Sequence, residues 1–106
     1  MSSNADQADS RLFPRMDIRC PVLYRMEGSG RDLIGLAVDF SATGVKILCK
    51  DPVAVDCGIH IELKPGRNRA IPALAADGVV VRCEPYSRGG YWVSCHLRTF
   101  SRQPRP

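Results

Sequence analysis

The strongest constraint in this 106-residue chain is an alternation of period two that recurs along almost its whole length. Ile18, Cys20, Val22 and Tyr24 alternate with Arg19, Pro21, Leu23 and Arg25, the pattern of a strand with one face on a core. After the glycine-rich turn Met26 to Asp32 comes a second strand, Leu33 to Asp39. Val45, Ile47 and Cys49 mark a third, and Ile59, Ile61 and Leu63 a fourth that Pro65-Gly66 ends. A long fifth is predicted from Ile71 to Cys83, bent at Ala76-Asp77-Gly78, and Tyr91, Val93, Cys95 and Leu97 are the inward set of a sixth. Six short strands without a helical pattern predict an all-β fold, an antiparallel barrel or sandwich; the six-stranded barrel is preferred, because closure removes the edges that a small open sheet exposes.

Length allows one domain. We read 1–10 as a flexible leader, 11–100 as the barrel with Arg11 to Arg15 on an N-terminal arm, and 101–106 as a short flexible tail. The longest apolar run, Leu33 to Val38, is far below the roughly 20 residues of a membrane span. Met1 to Gln7 has neither the basic nor the apolar region of a secretory signal, so a cytoplasmic location is expected. The net charge of +4, carried by 12 Arg against 3 Lys, favours an anionic partner, for which the planar guanidinium is suited.

Five cysteines show no C-x-x-C spacing. Cys20, Cys49, Cys83 and Cys95 fall at inward positions, where a thiol packs as a small hydrophobe. No metal is expected, since Cys95 and His96, as strand neighbours, point to opposite faces. His60 and His96 read as solvent-facing strand residues. No nucleophile with a base and no phosphate-binding loop is present, so the chain is not expected to be an enzyme.

Two motifs suit binding instead. Arg11-Leu12-Phe13-Pro14-Arg15 is an R-x-x-x-R before the first strand. Asp39-Phe40-Ser41-Ala42-Thr43-Gly44 is a D-x-S-x-x-G between the second and third. Two guanidinium groups bond phosphate oxygens bidentately and stack on guanine. Asp39 accepts from the N1-H and N2-H edge of guanine, and Ser41 adds a small donor and acceptor. Gly44 is expected to let the turn take positive φ. Without the first motif, the second reads better as a plain Asx or Ser turn closing a hairpin, with Gly44 serving geometry alone.

In this order and on this pattern, the sequence resembles the PilZ domain family, receptors for the bacterial second messenger cyclic di-GMP, from Arg11 to Phe100. The resemblance includes the Phe-Pro within the first motif and the closing strand at Tyr91, Val93 and Leu97. It implies a barrel with cyclic di-GMP, not a cofactor, held on its outer surface. Arg11 and Arg15 would clamp phosphates and guanine, Asp39 and Ser41 would contact guanine and phosphate, and Gly44 would shape the turn. The output would be an adaptor's: an arm ordered by ligand and read by a downstream effector protein. Ser10 stands where many members have a further Arg, a position associated with binding one or two ligands, and Ser94 stands where a Gly is usual. Trp92 has outward parity and suits either base stacking or cover for an apolar seam. The rival readings are a basic barrel binding single-stranded nucleic acid and a protein-interaction barrel without ligand.

Overall fold

Six strands form in the predicted order in a computed structural model that describes residues 16–102, with side chains from Arg19 onward. They are β1 (Met16–Met26), β2 (Leu33–Phe40), β3 (Gly44–Cys49), β4 (Gly58–Leu63), β5 (Leu74–Pro85) and β6 (Tyr91–Arg102). The sheet closes on itself in the order β1-β2-β3-β6-β5-β4, and every neighbouring pair is antiparallel. The described residues contain no helix, and hence none long and apolar enough to cross a membrane.

The inward half of each alternation fills the barrel. Val22, Ile47, Val80 and Val93 are each at most 1% exposed, and a fully buried aliphatic side chain of this kind contributes about 1.5–3 kcal/mol. Cys20, Cys49 and Cys95 are buried as their parity predicts, and Cys83 is half-buried against the core. Burial pushes the Cys49 thiol up to about 11 and that of Cys95 to about 12, so these groups stay protonated and pack as apolar atoms.

Three strands break strict alternation. Ala37 and Phe40 both face inward, as do Val80 and Cys83, and Leu97 and Phe100. Each pair is three residues apart, and each spans a register shift: Val38 is extra in β2 against β3, Val81 in β5 against β6, and Arg98 in β6 against β5. An extra residue in one strand reverses side-chain parity beyond it.

Several expected boundaries move, among them the ends of β2 and β5, which run on to Phe40 and Pro85. β1 begins at Met16 rather than Ile18. β5 begins at Leu74 rather than Ile71, because Pro72 lacks the N–H that a ladder requires; Ile71 is buried all the same. β6 runs on to Arg102. Ser101 and Arg102, assigned to the tail, instead pair with Ala75 and Leu74, since the bulge at Arg98 returns Phe100 to the core and carries the strand with it.

Candidate functional site

The bulge at Val38 determines where the second motif points. Strict alternation from Ala37 would bury Asp39; the extra residue buries Phe40, 2% exposed, and leaves Asp39 half-exposed on the outer face. Lys46 of β3 is its register partner. Phe40 anchors the turn that follows. There the Ser41 N–H donates to the Gly44 carbonyl at 2.9 Å, and the Thr43 N–H makes a long 3.4 Å bond to Ser41 Oγ. The Leu97 N–H donates to the Thr43 carbonyl at 2.9 Å, tying the turn to β6.

Gly44 corrects one expectation. The positive-φ glycines among the described residues are Gly28, Gly30, Gly66, Gly89 and Gly90; Gly44 opens β3 with ordinary strand backbone. Its missing side chain serves packing, because a Cβ there would stand 3.0 Å from the Cys95 carbonyl oxygen of β6.

Asp39, Ser41 and Gly44 line one open depression of about 370 Å³, together with Thr43, Lys46 and Ser94. Three predicted residues are therefore brought together. Lys46 and Ser94 join them through their register, Asp39 to Lys46 to Ser94. The sequence signal for Lys46 was its outward parity two residues after Gly44; that for Ser94 was its departure from the usual Gly. Trp92 does not line the depression. Its ring lies 4.8 Å from that of Tyr86 at 52°, and the Lys46 ammonium sits 4.9 Å from its centroid. Arg11 and Arg15 lie outside the described residues. Met16, next in the chain after Arg15, pairs with Phe40, so the backbone leading into β1 starts beside the second motif.

A larger depression of about 460 Å³, lined by none of the second motif's residues, lies where β1, β4, β5 and β6 meet. Register sets Arg25, His60, Asp77 and Thr99 in one row across those strands. His60 corrects the reading of a plain solvent-facing histidine: Nδ1 is 2.8 Å from Asp77 Oδ1 and Nε2 3.1 Å from Glu62 Oε2. The Asp77 bond, with Glu62 adding to it, raises the His60 pKa against the opposing effect of burial. Glu62 is lowered by its hydrogen bonds to Lys64 and His60. Among the described residues no group of three or more His, Cys, Asp or Glu is placed to hold a metal ion.

The family model for the PilZ domain matches residues 9–104. The chain belongs to the PilZ domain family. Among solved structures it is similar to the Bacillus subtilis inhibitor of motility, MotI/DgrA, with a TM-score of 0.65 at 13% identity over 82% of this chain and 42% of that one. At that identity the likeness is one of fold, and the chain spans less than half of that protein. Among curated proteins none matches the chain.

PilZ domains form a family of cyclic di-GMP receptors and serve as binding and adaptor modules. In this PilZ barrel the D-x-S-x-x-G residues converge on one surface, and the arginine motif leads into the strand beside them.

Proposed function

We propose that this chain binds cyclic di-GMP on the outer surface of its barrel, between Asp39, Ser41 and Gly44 on one side and Arg11 and Arg15 on the other. The observation that carries the reading is the pairing of Met16 with Phe40. Arg15 is the residue just before that pair, and Phe40 follows Asp39 directly, which supports a first motif that acts beside the Asp39 depression. Arg11 is four residues before Arg15, at most roughly 14 Å of extended chain, a span that would let both guanidinium groups reach a ligand seated there.

The chemistry is complementary. Asp39 accepts from guanine N1-H and N2-H, the Ser41 hydroxyl donates to a phosphate oxygen, and two arginines meet the two phosphate charges. Charge-assisted hydrogen bonds at about 1.5–3 kcal/mol each offset the cost of about 1–2 kcal/mol per residue for ordering a short arm. The arm held over the ligand is then the surface that an effector protein reads.

Calorimetric titration with cyclic di-GMP, with GTP and cyclic GMP as controls, tests the reading. Binding of the cyclic dinucleotide alone is expected; absence of binding overturns it. Amide exchange at 11–15 should slow when ligand is added, and equal exchange with and without ligand would remove the arm from the mechanism.

A further inference from the structure

Lys46 belongs to two places at once. It lines the Asp39 depression, in register with Asp39 on β2 and Ser94 on β6. Its ammonium also lies 4.9 Å from the centroid of the Trp92 ring. Trp92 is two residues before Ser94 on β6, so both side chains share the outer face. The hairpin turn between β5 and β6, closed by Tyr86 N–H to Gly90 O and Gly89 N–H to Tyr86 O, each at 2.9 Å, holds Tyr86 against the same ring.

We propose that Lys46 couples ligand to surface: a phosphate of the ligand draws the Lys46 ammonium off Trp92 and into the depression, baring the indole. The inference rests on the cyclic di-GMP reading above. A cation over an aromatic ring at a partly exposed site is held more weakly than an ammonium bonded to a phosphate oxygen. The lysine stem is flexible and its charge a compact point, so the exchange requires rotation of one side chain and no movement of the barrel. Trp92 lies in a register row that runs through Leu48 and Leu36 to Pro21 on one side and meets Glu84 of β5 on the other, and Ile34 beside the apolar part of that row is 74% exposed. Occupancy of the depression is thereby written onto an apolar strip of the outer face.

Trp92 is the only tryptophan in the chain, so its fluorescence reads this one place. Acrylamide quenching is measured with and without saturating cyclic di-GMP, alongside calorimetry on the same samples. In the wild type, quenching should rise on binding. Lys46→Ala should show the higher quenching without ligand, no further change with it, and an affinity lower by about tenfold. Lys46→Arg should restore both the protected ring and the response. Binding heat with unchanged quenching in the wild type overturns the coupling alone. So does quenching that falls, which would mean that the ligand itself covers the indole, and so does a Lys46→Ala affinity equal to wild type. Absence of binding heat in the wild type overturns the cyclic di-GMP reading and the coupling with it.

Discussion

Phe40 and Phe100 meet edge to face, ring centroids 6.5 Å apart and planes at 84°. Each arrives there through a bulge, Val38 before one and Arg98 before the other. Phe40→Ala should cost about 3–5 kcal/mol, and Phe100→Ala less, because Phe100 is only half-buried. A double-mutant cycle by urea denaturation should give a coupling of about 0.5–1.5 kcal/mol; strict additivity would deny the pair an energetic role.

Asp39 stands outside the core that Phe40 belongs to, so binding and stability should separate at adjacent residues. Asp39→Ala is expected to lose at least about 1.5–3 kcal/mol of cyclic di-GMP affinity, roughly tenfold to a hundredfold, with its melting temperature within a few degrees of wild type. Calorimetry paired with thermal melts checks this. A large drop in melting temperature would make Asp39 structural.

The glycines of the barrel should differ in tolerance for a stated geometric reason. A methyl on Gly44 meets the Cys95 carbonyl at 3.0 Å, whereas one on Gly78 would overlap the His96 carbonyl of the neighbouring strand. Gly44→Ala should therefore cost about 1 kcal/mol and Gly78→Ala nearer 3 kcal/mol or more, as overpacking against fixed backbone does. Equal costs would contradict the backbone geometry at the Gly78 bulge.

His60 should give the barrel a pH-dependent component of stability. Its pKa is raised in the folded chain above the ordinary 6.5, so folding favours the protonated imidazole held between Asp77 and Glu62. That contribution is fully present below pH 6.5 and is lost as pH rises through the folded value. Denaturant midpoints measured from pH 6 to 9 should fall more for wild type than for His60→Gln; parallel curves would count against it.

Thiol reactivity should follow burial. Cys20, Cys49 and Cys95 are enclosed and their thiols are held above the ordinary value by burial. Cys57, half-buried outside the strands, should be the first labelled by a thiol reagent at pH 8, with all five cysteines reacting only after unfolding. Rapid native labelling of Cys95 would refute the interior packing.

Much of the fold is legible in the sequence, because alternation is a direct image of a sheet with one buried face. Cys20, Val22 and Tyr24, or Ile59, Ile61 and Leu63, could hardly pack otherwise. The bulges were not legible. Ala37-Val38-Asp39-Phe40 reads as regular strand, since an apolar Val38 disguises the extra residue, and only pairing with Lys46 and Ile47 reveals it. The His60 contact was hidden for a similar reason: Asp77 lies 17 residues away and meets it through register alone. The positive φ expected of Gly44 was wrong, and the crowding that does bear on it was not legible, because it comes from β6, more than fifty residues later in the chain.

Because β4 pairs with β1 to close the ring, each of the six strands has a neighbour on both sides. Among the described residues no strand is an edge along its whole length, which leaves only short ends, such as the start of β1 and the end of β5, paired on one side. An effector of the kind proposed above would therefore meet mainly side chains and loops, with little free strand to pair with. Surface substitutions can therefore change the listener while the interior, and the fold with it, is preserved.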